Sequence, residues 1–209
     1  MKVVGVQTAR LDSMVAARAA HGPVTIEPAT TIADGIAVRR AGSVTFPVVE
    51  QYVDELVTVD EDEIASAILV LLEREKTLAE GAGATALAAV LQQKTTVIAP
   101  GSKTAVLVTG GNIDVTLLSR IIERGLVQDG RMIRLRIHLL DKPGALADLT
   151  QLLASYRANI VDTLYNRAYY GVNLGNTTID ITLETRGREQ VTELLAALTA
   201  AGYEHSRVL

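Results

Sequence analysis

The chain of 209 residues contains no cysteine and no tryptophan, and phenylalanine occurs only once. Without cysteine there is neither a disulfide framework nor thiol chemistry. No apolar run reaches the ~18 residues of a membrane span, and the first residues lack the pattern of a signal peptide. The net charge of −4 gives no electrostatic basis for binding nucleic acid. These absences favour a cytoplasmic protein that binds neither membranes nor nucleic acids.

Because aromatic residues make up only 3% of a chain that is 48% hydrophobic, the core must be built from alanine, valine, leucine and isoleucine. The length allows one large or two small domains. A strand pattern begins almost at once, over Val3 to Gln7, whereas independent domains usually start with a few loose residues. We therefore expect a further segment upstream of this strand.

The stretch Val106 to Asp114 is the most informative part of the first half. An apolar run stops at Thr109-Gly110-Gly111-Asn112, and a helical pattern follows. A strand, a glycine turn and a helix in this order are typical of α/β proteins. Such a turn presents a hydroxyl and free backbone N–H groups where open α/β sheets bind ligands. A tight turn without any ligand explains the same pattern, and the stretch alone favours that interpretation.

The acidic run Asp60 to Glu63 predicts the start of a helix, because Asp60 and Glu63 have the spacing of a capping box. A metal site is the less favoured interpretation, since carboxylates also stabilise the positive end of a helix. The small residues of Gly81 to Ala89 predict a helix that packs closely on a sheet or on a cofactor. The remaining predictions for this half are strands at 55–59 and 104–108, helices at 14–20 and 46–52, and an ordered loop at 24–42. Asp12 or Ser13 can cap the helix at 14–20.

Gly125 to Arg131 breaks the pattern and predicts a domain boundary or linker. The residues after it predict a β-α-β-β-α-β order, which is the ferredoxin-like arrangement. The predicted strands are 133–139, 159 to about Tyr170, 177–184 and 203–208, with a turn at 141–144 and a hairpin framed by Gly171 and Gly175. Two helices are predicted from their apolar faces, the first formed by Leu146, Leu149, Leu152 and Leu153 and the second by Val191, Leu194, Leu195 and Leu198.

Five stretches in order resemble the pyridoxal-phosphate threonine dehydratases (threonine ammonia-lyases), which belong to fold type II. The matching stretches are Val4-Gly5-Val6-Gln7, Thr31 to Val38, Val59 to Ile64, Glu80-Gly81-Ala82-Gly83-Ala84 and Thr109 to Asp114. The turn Asp141-Lys142-Pro143-Gly144-Ala145-Leu146 and the stretch Ala158-Asn159-Ile160-Val161 are similar to an ACT domain, a module that senses amino acids. The resemblance therefore implies an α/β protein with two parts: residues 1–130 as the C-terminal part of a fold-type-II catalytic domain, and residues 131–209 as a ferredoxin-like ACT domain.

The resemblance also implies the chemistry, which is β-elimination from L-threonine or L-serine to a 2-oxo acid and ammonia. In this family the lysine that holds the cofactor lies upstream, beside a Ser-Gly-Asn-His motif that this chain lacks. We therefore expect no catalytic residue among these 209, no bound pyridoxal phosphate and no activity of the chain alone. The residues that would line the cofactor site by resemblance are Thr109, Gly110, Gly111, Gly35, Ile36 and Glu80, with Thr109 facing the pyridine nitrogen.

Some relatives bind a divalent cation through a Glu and an Asp at the positions of Gln7 and Ser13. Since neither residue here is a carboxylate, we expect no strong metal site there. The ACT resemblance implies a branched-chain amino acid as ligand, commonly held between two ACT domains, and a homo-oligomer formed through them. A domain that only dimerises is the alternative. The residues implied for this ligand site are Asp141, Pro143, Gly144, Ala145, Leu146, Asn159 and Ile160.

Two functional hypotheses stand beside each other at this point. The chain is either part of a threonine or serine ammonia-lyase of isoleucine biosynthesis or threonine catabolism, or a stand-alone amino-acid-binding regulatory protein with a vestigial first half. A lysine motif in frame upstream of Met1 would favour the first hypothesis.

Overall fold

The structure is a computed structural model that describes residues 1–166 and 176–208. The chain divides into two compact units, Met1–Ile122 and Glu123–Leu209. No helix in the described ranges is long and apolar enough to cross a membrane. The first part of the chain forms β1 (Val4–Thr8), α1 (Ser13–Ala19), α2 (Thr45–Tyr52), β2 (Glu55–Val59), α3 (Glu61–Val70), α4 (Gly81–Leu91) and α5 (Val115–Gln128), with a short 3-10 helix at Asp34–Ile36 and a π-helical turn at Leu71–Glu75.

The parallel strands β1 and β2 and the closely packed helices α3 and α4 form the centre of the first unit. Strands β1 and β2 run side by side from Val4 opposite Glu55 to Thr8 opposite Val59. The core of this unit is built from alanine, valine, leucine and isoleucine, as the composition predicted, and more than half of its buried members are alanine. Its members include Ile64, Ala67, Ile68, Ala84, Ala88 and Ala89.

The capping box predicted for α3 is confirmed. Asp60 Oδ1 accepts a hydrogen bond from the Glu63 backbone N–H at 2.9 Å, and Glu63 Oε2 accepts one from the Asp60 N–H at 2.8 Å. Asp12 is the N-cap residue of α1, as one of the two alternatives predicted, but its side chain makes no capping bond. Gln7 at the end of β1 reaches the free N–H groups instead, its Oε1 accepting from Met14 at 2.9 Å and Val15 at 3.1 Å.

Two predictions for residues 104–131 are corrected. Residues 103–114 form no regular secondary structure, so the strand predicted at 104–108 is wrong. An apolar run becomes a strand only when a neighbouring strand satisfies its backbone groups, and no such partner exists in the described ranges. The break in the helical pattern predicted from Gly125 begins later than expected, because α5 continues through a buried Gly125 to Gln128.

The second unit has the predicted βαββαβ order. Its elements are β3 (Met132–Leu140), α6 (Ala145–Ser155), β4 (Asn159–Asn166), β5 (Asn176–Glu184), α7 (Arg188–Ala200) and β6 (His205–Arg207). The four strands form one sheet in the order β4-β5-β3-β6, and all neighbours are antiparallel. Of the leucines predicted to face inward, Leu149, Leu153, Leu194 and Leu198 are fully buried, whereas Leu146 is 42% exposed. The predicted end of a strand near Tyr170 and the hairpin between Gly171 and Gly175 lie outside the described residues.

An ion pair on this sheet should make the stability of the second unit depend on pH. Arg136 donates two hydrogen bonds of 2.7 Å to the Asp180 carboxylate. The guanidinium therefore holds the pKa of Asp180 below its usual range, against the opposing effect of burial. A lowered pKa stabilises the fold above the unfolded pKa of about 4, and this contribution is lost as the pH falls through the folded pKa.

We expect Asp180→Asn to lower the free energy of unfolding at pH 7 by about 1 kcal/mol, because the arginine is partly exposed. The difference from the native chain should shrink as the pH falls below about 4. Urea denaturation across this pH range measures it, with Asp162→Asn on the exposed β4 as the matched control. A pH-independent difference would contradict the assignment.

Candidate functional site

Three glycine-containing segments of the first unit meet at the start of α4. A Cβ atom on Gly81 would lie 2.1 Å from the backbone oxygen of Ile32, and one on Gly83 would lie 2.0 Å from the backbone oxygen of Thr109. A Cβ on Gly111 would lie 2.8 Å from the backbone oxygen of Leu78. Real Cβ atoms do not come so close to backbone, so these contacts require glycine.

Glu80 lies at the centre of this convergence. Its backbone N–H donates to the oxygen of Gly110 at 3.3 Å, and its Oε2 accepts from the N–H of Asn112 at 3.1 Å. Gly110 has a φ of +75°, and a Cβ there would lie 2.6 Å from the Glu80 carboxyl group. On the other side, a Cβ on Gly35 would lie 3.3 Å from Glu80 Oε1. The structure thus brings Gly35, Glu80 and Gly110 to one place from three distant parts of the sequence.

The polar and apolar groups around Glu80 differ in exposure. Thr109 is exposed, and its hydroxyl has no hydrogen-bond partner within the described ranges. Ile36 is half-buried and packs against the alanine-rich core. The site therefore has an exposed threonine hydroxyl and two exposed glycines, and their turn is held by the hydrogen-bonded Glu80 carboxylate. This arrangement can hold a flat group against the backbone and offer it a neutral hydroxyl.

The acidic run at the start of α3 is accounted for by contacts within the protein. Asp60 and Glu63 form the capping box, and Glu63 also pairs with Lys94 at 2.7 Å. Across residues 1–166 and 176–208, no group of three or more histidine, aspartate or glutamate side chains is arranged to hold a metal ion. Gln7 and Ser13, the two positions considered above for a divalent cation, hold a helix-capping amide and a buried hydroxyl.

Glu61 in the same run is the residue that sequence reasoning missed. Its carboxylate contacts Thr8, Thr31 and Ile32, so it holds the segment that leads to Gly35. The sequence gives no signal for this role, because the partners lie 53, 30 and 29 residues away. Only the packing of α3 beside the end of β1 reveals it.

The residues predicted for an amino-acid ligand lie in two places in the second unit. Asp141, Pro143, Gly144, Ala145 and Leu146 form the turn from β3 into α6, with Gly144 at a φ of +89°. Asn159 and Ile160 begin β4.

These two places are at opposite ends of the sheet. Asn159 lies opposite Glu184, which lies opposite Met132 at the start of β3, whereas the turn follows Leu140 at the end of β3. At about 3.3 Å per residue of strand they are roughly 25 Å apart. The structure therefore does not bring the two groups together within one chain, and Asn159 Nδ2 donates to Glu184 Oε2 at 3.2 Å.

Comparison with known proteins identifies the family to which this chain is similar. The family model for pyridoxal-phosphate dependent enzymes matches residues 1–110. L-threonine ammonia-lyase of Thermotoga maritima is 44% identical over 204 residues, which is 98% of this chain and 50% of that protein. The same enzyme of Geobacter sulfurreducens is 44% identical over 209 residues, covering 97% of this chain and 50% of that protein.

A solved structure has the same arrangement over part of the chain. The processed form of threonine deaminase isoform 2 from Solanum lycopersicum superimposes with a TM-score of 0.55 and 26% identity, over 59% of this chain and 36% of that one. The chain spans about half the length of the curated relatives it matches. Gly35, Glu80, Thr109 and Gly110 lie inside the matched residues 1–110. The chain belongs to the family of pyridoxal-phosphate dependent enzymes.

Proposed function

We propose that the first unit supplies one wall of the cofactor site of an L-threonine or L-serine ammonia-lyase, which works in the cytoplasm. The observation that carries this proposal is the meeting of Gly35 and Glu80 with the Thr109–Gly111 turn, at the C-terminal end of the family match. The likeness to L-threonine ammonia-lyases over nearly the whole chain supports the reaction class. The product would be 2-oxobutanoate from threonine, in isoleucine biosynthesis or in threonine catabolism.

The residues present fit pyridoxal phosphate. Gly110 and Gly111 let their turn lie directly against the Glu80 carboxyl group and the Leu78 backbone, and both glycines remain exposed on the other side, where a flat ring could approach their backbone. Thr109 would offer its exposed hydroxyl to the pyridine nitrogen, and Gly35 and Ile36 would border the ring from the neighbouring loop. Glu80 would keep the turn in place, because its carboxylate is held by the Asn112 N–H and leaves no room for a side chain at Gly110.

When bound, pyridoxal phosphate supplies an electron sink for the pair left as the substrate loses its Cα proton. The contribution of Thr109 is to face that ring with a neutral group. A hydroxyl, unlike a carboxylate, does not hold a proton on the ring nitrogen, which favours elimination of the β-hydroxyl over transamination. The lysine that holds the cofactor in the resembled enzymes matches none of the lysines here, so we propose that the chain alone binds no cofactor and is inactive.

A chimera tests this function. It joins this chain to the half of the Thermotoga maritima L-threonine ammonia-lyase that the chain does not match. With pyridoxal phosphate and L-threonine, we expect steady release of 2-oxobutanoate by the chimera and none by the 209-residue chain alone. A folded chimera that binds the cofactor but releases no 2-oxo acid from threonine or serine would refute the proposed reaction. Turnover by the isolated chain would refute the inactivity.

We further propose that the second unit is an ACT domain that binds a branched-chain amino acid between two copies of the chain. The βαββαβ order and the antiparallel sheet support this assignment. Backbone N–H groups at the start of α6 suit a carboxylate, and Asn159 suits an α-amino group. Because the two lie roughly 25 Å apart in one chain, a ligand that contacts both requires the turn of one copy and the β4 of another.

Mixing two variants tests whether the site is shared. Leu146→Asp places a negative charge beside the turn at an exposed position, where it repels a ligand carboxylate but still suits the first turn of α6. Asn159→Ala removes the amide. We expect each variant alone to bind no isoleucine or valine by calorimetry, whereas an equal mixture that has exchanged subunits recovers about a quarter of the sites.

The same mixture gives the contrary result if the site lies within one chain. In that case every copy carries one defect, and mixing recovers nothing. Binding by the native chain with no turnover in the chimera would favour the stand-alone regulatory protein over the enzyme.

A further inference from the structure

Glu61, the first residue of α3, gathers three hydrogen bonds onto one carboxylate. Its Oε1 accepts from the hydroxyls of Thr8 at 3.1 Å and Thr31 at 2.7 Å. Its Oε2 accepts from the backbone N–H of Ile32 at 2.7 Å. Only 18% of the side chain is exposed, and Thr8 is fully buried, so these bonds face little competition from water.

Arg10, which follows β1, also holds this segment. Its Nη1 donates to the backbone oxygen of Thr30 at 2.9 Å, and its Nε lies 3.9 Å from Glu61 Oε1. Residues 30–32 are therefore fixed to the end of β1 and to the start of α3 at the same time. Both residues make charge-assisted hydrogen bonds, but Glu61 makes two to this segment and Arg10 makes one, so Glu61 is the main anchor.

The fixed segment leads directly into the candidate cofactor site. The backbone oxygen of Ile32 is the atom that a Cβ on Gly81 would strike at 2.1 Å, and Ala33 is fully buried. Two residues further on, Gly35 lies against the Glu80 carboxylate. A shift of Ile32 would thus move Gly35 relative to Glu80 and to the start of α4.

We infer that Glu61 is a positioning residue for the cofactor site, which acts by holding Ile32 and Thr31 so that Gly35 stays beside Glu80. The inference rests on the proposed function for the meaning of that site. The Asp60 and Glu63 carboxylates do not share this role, because they form the capping box. The competing role is that of a first-turn charge on α3, which would need the negative charge but not the reach of the side chain.

Two conservative variants separate these roles. Glu61→Asp keeps the charge at the helix start but is one methylene too short to reach the loop. Glu61→Gln loses the charge but keeps the reach: its amide oxygen can accept from Ile32, and its NH₂ group can donate to the threonine hydroxyls. Glu27→Gln is the matched control, because Glu27 is an exposed carboxylate on the same loop with no partner in the described part of the chain.

Amide hydrogen exchange of the 209-residue chain, without cofactor, gives the readout. The N–H groups of Ile36 and Ala37, which close the short 3-10 helix on Ala33 and Asp34, report opening of the loop. Amides inside α4 report global stability. Relative to α4, we expect Glu61→Asp to speed exchange at Ile36 and Ala37 at least ~10-fold, Glu61→Gln less than ~3-fold, and Glu27→Gln not at all.

Thr8→Val is the second variant, since it removes one hydrogen bond to Glu61 and leaves α3 and the Ala33–Thr31 hydrogen bond inside the loop unchanged. It should speed exchange at the same two amides in the same direction as Glu61→Asp. The inference is overturned if Glu61→Asp matches the Glu27→Gln control, or if Glu61→Gln is as severe as Glu61→Asp. This measurement needs no cofactor, so its result is independent of the activity of the chimera. An inactive chimera would refute the proposed function but not the hydrogen-bonding role of Glu61, and an active chimera would not establish that role.

Discussion

Replacing Gly83 with alanine should destabilise the first unit by about 3 kcal/mol, although alanine is the better helix former. On helix propensity alone, the change inside α4 would stabilise the protein by about 1 kcal/mol. The packing reverses the sign, because the new Cβ would lie 2.0 Å from the backbone oxygen and 2.9 Å from the carbonyl carbon of Thr109. Backbone cannot rotate away as a side chain can, so the whole turn must move.

Urea denaturation measures this effect, with Gly22→Ala as the control. A Cβ on Gly22 would meet no atom within 4 Å, so that variant should change the free energy of unfolding by less than about 1 kcal/mol. A Gly83→Ala chain as stable as the native one would mean that the Thr109–Gly111 turn does not pack on α4. The candidate site would then lose its geometric basis.

Replacing Thr109 with aspartate should reduce the rate of 2-oxobutanoate release by the chimera at least ~100-fold, which corresponds to about 2.7 kcal/mol. A carboxylate at this position would favour a proton on the ring nitrogen and so change the electron sink that the elimination uses. Thr109 is exposed and its hydroxyl has no partner in the described ranges, so the fold should tolerate the change.

Two variants calibrate the Thr109 result. Thr109→Ser keeps the hydroxyl and should retain the rate within a few-fold. Thr104→Asp places the same charge on the same irregular segment, at another exposed threonine, and should leave the rate unchanged. Full activity of Thr109→Asp in a folded chimera with bound cofactor would show that Thr109 does not face the pyridine nitrogen.

Local sequence patterns predicted the elements whose stabilising contacts are local. The capping box needs only Asp60 and Glu63, three residues apart, and the alternation over Ile133 to Leu139 already separates the two faces of β3. Both are present in the structure. The order of elements in the second unit followed from such patterns taken one after another.

The errors arose where distant parts of the chain decide the outcome. The apolar run at 104–108 had the composition of a strand, but a strand also needs a partner. The side chain of Gln7 rather than that of Asp12 caps α1, because β1 happens to end beside that helix. The pairing register that puts Asn159 at the far end of the sheet from Gly144 cannot be read from either motif alone. The contacts of Glu61 depend on packing in the same way.

The central claim is that the turn at Thr109 to Gly111, with Glu80 and Gly35, forms one wall of the cofactor site. A crystal structure of the chimera with its cofactor tests this claim most directly. We expect the pyridine nitrogen within hydrogen-bonding distance of the Thr109 hydroxyl and the ring edge beside the backbone of Gly110. A cofactor bound in the chimera without contact to Thr109, Gly110 or Gly35 would contradict the account.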